Sequence, residues 1–198
     1  MIQQNYNFSK YKKLDQDASQ NNLKLFLKIS KEKNVNCFLL FGTLLGFYRD
    51  GKFISEDNDT DIGCISEEFE LVEVEFLKHL NLSGFKIFRE SNSLIQIVKD
   101  NNHIDLYLFR KLPCFNGRFS GKFFISNEHF EKILTIKCGS DRLEYPILSE
   151  TNKLLTKFYG KNWKTPLKGK TANENFFLSI LVKILPVRLL KLIQKILK

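Results

Sequence analysis

The stretch Phe41–Gly63, FGTLLGFYRDGKFISEDNDTDIG, decides how this chain is read. It follows the apolar run VNCFLL (Val35–Leu40), opens on Gly42-Thr43 and closes on Asp59 and Asp61, two acids separated by one residue. The chain around it is basic, with 31 Lys and Arg against 22 Asp and Glu and a formal net charge of +9. Like charges repel, so a knot of carboxylates here asks for an offsetting partner. A bound cation is one answer, and the solvent around an exposed Asp/Asn turn is the other.

Outward from this stretch, segments of helical and strand period follow one another. Ala18–Lys33, with Leu23, Leu25, Phe26, Leu27 and Ile29, predicts a helix, and Val35–Leu40 a buried strand. Gly42-Thr43 predicts a break before a short helix over Leu44–Tyr48. Downstream, TDIGCIS (Thr60–Ser66) alternates like a strand. EEFELVEVEFLKHL (Glu67–Leu80) has helical length, with acids at the end where the helix dipole favours them. FKIFRE and SLIQIVKD predict a hairpin, and HIDLYLF (His103–Phe109) a further strand. Lys111–Tyr145 reads as short Phe-rich strands and loops, and Ser149–Tyr159 as a helix capped by Ser149. With 198 residues, 43% of them hydrophobic and nineteen of them Phe, the chain has material for one core. The expected fold is α/β (α+β), a mixed β-sheet flanked by helices.

Residues two apart on a strand share a face, so Asp59 and Asp61 are expected to present their carboxylates together at the start of the TDIGCIS strand. Mg²⁺ takes hard oxygen ligands and is commonly held by one or two carboxylates plus substrate phosphates. Asp105 interrupts the apolar HIDLYLF strand, where a lone charge is costly to bury, and is the candidate third acid. If its strand lies beside that of Asp61, the three acids converge, and metal-assisted phosphoryl transfer becomes the natural chemistry. The competing reading is a solvated EDNDTD turn, with Asp105 paired to a Lys or Arg.

This arrangement resembles the LicD/fukutin phosphotransferase family, whose signature runs GTLLG, then Arg, then an Ile-Pro-Trp-acid cluster ending in DxD-Ile. The matching residues are Gly42, Thr43, Leu44, Leu45, Gly46, Arg49, Ile54, Asp57, Asp59, Asp61 and Ile62. The stretch EYPILSETNKLLTKFYGKNWKTP (Glu144–Pro166) is similar to the family's closing segment. Ser55 and Glu56 stand where the family has Pro-Trp, and Asn58 replaces an Asp.

The resemblance implies a nucleotidyltransferase-like catalytic domain over 18–166, between an N-terminal extension (1–17) and a linker with basic amphipathic C-terminal helices (167–198). It implies Mg²⁺- or Mn²⁺-dependent transfer of a phospho-alcohol, such as phosphocholine or ribitol phosphate, from a CDP-linked donor to a sugar hydroxyl of a cell-surface glycan. Asp59, Asp61 and Asp105 would be the catalytic and metal-holding residues. Gly42, Thr43 and Arg49 would hold the donor, Arg49 by forking onto a diphosphate oxygen unless it pairs with one of the acids. Tyr159 and Trp163 are expected chiefly to pack. A nucleotidyltransferase acting on a nucleoside triphosphate and a silent nucleotide-binding module are the alternatives.

Net positive charge suits nucleic acid, anionic lipid or phosphorylated metabolites alike. There is no zinc-finger spacing, basic region with heptads or aromatic RNA-binding signature, so nucleic acid is not expected. Cys37, Cys64, Cys114 and Cys138 form no CxxC pair and read as reduced thiols, and His79, His103 and His129 show no ligand spacing. MIQQNYNFSKYKK has no apolar core of a secretory signal, and a cytoplasmic location is expected. In Val187–Lys198, Arg188, Lys191, Lys195 and Lys198 share one helical face, and Leu189, Leu192, Ile193, Ile196 and Leu197 the other. That pattern fits a helix lying on the inner face of an anionic membrane, near a lipid-linked glycan acceptor, or a helix packed on its own core or in a dimer.

Overall fold

The computed structural model describes residues 13–113, 115–138 and 143–166. The chain forms α1 (Gln16–Glu32), β1 (Cys37–Leu39), α2 (Phe41–Asp50), β2 (Thr60–Ile65), α3 (Ser66–Leu82), β3 (Lys86–Ser91), β4 (Leu94–Lys99) and β5 (Asn102–Lys111). It continues through β6 (Gly117–Ser120), β7 (Phe123–Ser126), a 3₁₀ turn (Asn127–Phe130), β8 (Ile133–Cys138), β9 (Leu143–Leu148) and α4 (Thr151–Tyr159). The basic amphipathic segment Val187–Lys198, most of the N-terminal extension and Cys114 lie outside the described residues. Among the described residues no helix is long and apolar enough to cross a membrane.

The main sheet runs β1-β2-β5-β4-β3, with the β6–β7 hairpin attached to the end of β5 and β8–β9 forming a separate ribbon. β2 and β5 are parallel, and every other pairing is antiparallel. The expected mixed sheet is therefore present, and the parallel pair at its centre joins strands separated in sequence by α3 and the β3–β4 hairpin.

Strand alternation divides the sheet into two faces. Ile62, Leu106 and Ile95 lie in one row, each fully buried, and Cys64 and Leu108 extend the same face. α1 and α3 pack on one another, Phe26 meeting Phe76 edge-on at 5.6 Å between ring centroids, and both contact β5. α1 starts where Asp15 accepts the amide of Ala18 at 3.1 Å. The packed domain begins ahead of residue 18, since Leu14 is buried and its amide donates to the carbonyl of Asp57 at 3.0 Å.

On the opposite face, Asp61, Asp105 and Gln96 form one row across β2, β5 and β4, and Gly63, Tyr107 and Leu94 form the next. The Phe38 ring of β1 occupies the space where a Gly63 side chain would stand. Gly63→Ala must push that ring off Phe109 and Phe130, with which it packs at 6.0 and 5.8 Å. A stability loss of about 1–3 kcal/mol is expected, read as a lower urea midpoint at unchanged m-value.

Three local expectations are corrected. α2 begins at Phe41, so Gly42-Thr43 lies inside its first turn and is not a break before Leu44. The chain turns into the helix through Phe41, whose φ of 39° is left-handed. The cost of that strain is offset by ring contacts to Phe123 at 4.4 Å and to Tyr107 and Phe158 at 5.1 Å. Ser149 does not cap α4. Its hydroxyl donates to the carbonyls of Glu128 and His129, at 2.8 and 2.9 Å, while Glu150 takes the cap position at φ 54°. Asp59 stands one residue ahead of β2 and is not part of the strand.

Candidate active site

Asp61 and Asp105 sit side by side in the parallel register of β2 and β5. Both are largely buried, each 7% exposed. Asp61 is gripped by the start of α2. The amide of Gly42 donates to its Oδ2 at 3.1 Å, its own amide donates to Thr43 Oγ1 at 2.8 Å, and the amide of Leu40 donates to its carbonyl at 3.1 Å. Asp105 Oδ1 accepts Nε2 of Gln96 at 3.3 Å.

These contacts change the role expected for Gly42 and Thr43. Thr43 is wholly buried and its hydroxyl accepts the Asp61 amide, so it positions a carboxylate and presents no hydroxyl to a donor. Gly42 is required for another reason: a Cβ there would stand 2.5 Å from Oδ2 of Asp57. That oxygen is buried, Oδ1 of Asp57 accepts the amide of Asn58 at 3.1 Å, and the Asp57 carboxyl when protonated hydrogen-bonds the Asp59 carboxylate.

The electrostatics follow from this crowding. Burial, then the charge of Asp59, pushes Asp57 up from 3.8 to about 7. Burial also raises Asp59. Asp61 is driven well up by burial and then by Asp59, Asp57 and Asp105, with the Gly42 amide opposing. The Tyr159 phenol of α4 is shifted upward by burial and by Asp61, Asp57 and Asp59, which places it in the field of the same cluster. Four acids are thus brought together, including all three expected ones.

Arg49 pairs with its chain neighbour and also acts on the Tyr159 phenol beside the cluster. Its Nε and Nη2 fork onto Asp50 at 3.0 and 2.7 Å, and Nη1 reaches the Trp163 carbonyl at 3.4 Å. Asp50, the next residue in the chain, lies outside the acidic cluster. Trp163 is buried and packs on Tyr48 at 5.9 Å, as expected of a packing residue.

Asp57, Gln96 and Tyr159 are not among the expected site residues. Gln96 carries a signal of the same kind as Asp105, a polar residue interrupting the apolar run LIQIV. Asp57 stands in the acidic stretch with nothing local to separate it from a solvated turn acid.

Among the described residues no group of three or more His, Cys, Asp or Glu side chains forms a ready metal cage. The donors are nevertheless of the type a hard divalent cation takes. They are carboxylate oxygens, buried and mutually repelling.

Several solved structures resemble this fold. The lincomycin-bound crystal structure of lincosamide antibiotic adenylyltransferase LnuA aligns with a TM-score of 0.50 at 15% identity, covering 70% of this chain and 85% of that one. The solution structure of antibiotic-resistance factor ANT(2'')-Ia gives 0.45 at 11% identity over 88% of both chains. Its crystal structure with adenylyl-2''-tobramycin gives 0.46 at 11% identity, over 90% of this chain and 97% of that one. At 15% identity, what is shared with LnuA is the nucleotidyltransferase fold. No curated protein matches the chain. The sequence model of the LicD/FKTN/FKRP nucleotidyltransferase domain matches residues 34–137, from just ahead of β1 through the acidic row to β8. With more than half of its length matched, and with the acids of that segment gathered at the start of α2, the chain belongs to the LicD/FKTN/FKRP family through its nucleotidyltransferase domain.

Proposed function

We propose that this chain is a divalent-metal-dependent phosphotransferase, moving a phospho-alcohol such as phosphocholine from a CDP-linked donor to a sugar hydroxyl of a glycan. The observation that supports it best is the side-by-side pair Asp61 and Asp105, crowded by Asp59 and Asp57 at the start of α2. Asp59, Asp61 and Asp105 would hold Mg²⁺ or Mn²⁺, whose charge would neutralise the diphosphate and polarise the bond to be broken. Gly42 and Thr43 orient Asp61, and Gln96 orients Asp105. Asp57, its Oδ2 enclosed against Gly42 and its carboxyl raised to about 7 by burial and by Asp59, adds to the electrostatic crowding that a cation would relieve.

The test is a binding and turnover screen of CDP-choline, CDP-ribitol, CDP-glycerol and nucleoside triphosphates, with and without Mg²⁺. Metal-dependent release of CMP supports the proposal. Pyrophosphate released from a nucleoside triphosphate would instead assign nucleotidyl transfer, the class of reaction named for the structurally similar LnuA. Metal-dependent binding of nucleotide without any turnover would make the chain a binding module.

A further inference from the structure

Beside the acids, on the same face of the sheet, lies an aromatic ledge. Tyr107 follows Asp105 by two residues on β5 and therefore shares its face, about 7 Å further along the strand. Its ring meets Phe41 edge-on at 5.1 Å and Phe123, from the β6–β7 hairpin, at 5.7 Å. Phe41 is buried beneath, while Tyr107 and Phe123 are only half-buried and form the outer surface. The left-handed backbone at Phe41 is what turns its ring into this stack.

The rim of the ledge is polar. The Lys122 ammonium, on an exposed side chain, lies over the Phe123 ring at 5.5 Å from its centre, so a stacking base would take its place there. The hairpin tip abuts the β3–β4 turn, where Ser120 Oγ donates to the Ser93 carbonyl at 2.9 Å. In that turn the hydroxyls of Ser91 and Ser93 lie 3.1 Å apart, and the next residue, Leu94, pairs with Tyr107.

We propose that the Phe123 ring, walled at a right angle by Tyr107, is the stacking surface for the nucleobase of the donor nucleotide, with Ser91 and Ser93 at the base edge and the exposed Lys122 side chain leaving the ring for the phosphates. This rests on the phosphotransferase reading and adds to it the part of the protein that recognises the nucleoside. A flat ring with a polar edge is what an aromatic surface rimmed by hydroxyls accepts. A nucleotide lying along β5 would carry its diphosphate from Lys122 toward Asp105 and Asp61, whose charge only a cation-bridged phosphate would tolerate.

The experiment is calorimetric titration of the full chain, in Mg²⁺, with CDP and with pyrophosphate as the base-free probe. The variants are Phe123→Ala, Phe123→Trp and Lys122→Ala, each checked for folding by circular dichroism. Phe123→Ala is expected to weaken CDP on the order of tenfold, leaving pyrophosphate within about twofold, and Phe123→Trp to retain CDP. Lys122→Ala, an exposed change that leaves the core intact, is expected to weaken CDP a few-fold, less so at high salt. Unchanged CDP affinity in folded Phe123→Ala overturns the ledge alone, as does an equal loss on pyrophosphate. Failure of the unmodified chain to bind CDP overturns the ledge and the phosphotransferase reading together.

Discussion

Asp61→Asn is expected to lower transfer by about 10³-fold while the melting temperature of the metal-free protein stays the same or rises. Asparagine keeps a side-chain oxygen for the Gly42 amide and does not disturb the bond from its own amide to Thr43. What it removes is a buried charge that Asp59, Asp57 and Asp105 all oppose. The same replacement at Asp59 or Asp105 should act in the same direction. Initial rates at saturating donor and Mg²⁺, set beside thermal melts in chelator, read both halves of the expectation. Near wild-type turnover in Asp61→Asn would mean that the acidic row does not hold the reacting phosphate.

Without metal, the folded protein should lose stability as pH rises from about 4 to about 7, and Mg²⁺ should restore much of it. Asp57 ionises near 3.8 when unfolded and at about 7 when folded. The folded state therefore binds the proton more tightly. The contribution is fully present below about 3.8 and is lost as pH rises through about 7, by on the order of a few kcal/mol. Asp59 and Asp61, also raised, act in the same sense. A cation that binds the ionised cluster and not the unfolded chain reverses this, so added Mg²⁺ should raise the urea midpoint at pH 8 much more than at pH 5. A metal-free midpoint that climbs from pH 5 to pH 8, or a Mg²⁺ effect equal at both, would contradict the arrangement.

Much of the architecture is legible in the amino-acid sequence. The period-two alternation of TDIGCIS, the apolar strand HIDLYLF, the helical pattern around Phe26, the length and leading acids of Glu67–Leu80, and the hairpin at Asn92 all report local geometry. The isolated Asp105 is legible too, because a charge inside an apolar strand is costly unless something meets it. The cap of α4 and the start of α2 depart from the local reading for one shared reason. Ser149 and Gly42-Thr43 have the local chemistry of a cap and a break, but their hydrogen bonds go to partners distant in sequence.

Alternation along the chain settles which residues share a face of each strand, and therefore that Asp61 and Asp105 are available to act together. That they stand side by side is a matter of tertiary packing. The parallel β2–β5 register sets them side by side across more than forty residues of intervening chain, and the β4–β5 register brings Gln96 onto Asp105. Packing also turns Arg49 to Asp50, and lays Asp57 in the space Gly42 leaves open. Side-chain alternation is a property of the local backbone and is readable residue by residue. Strand partnership and helix placement are set by burying the whole apolar set at once, and no single segment encodes them.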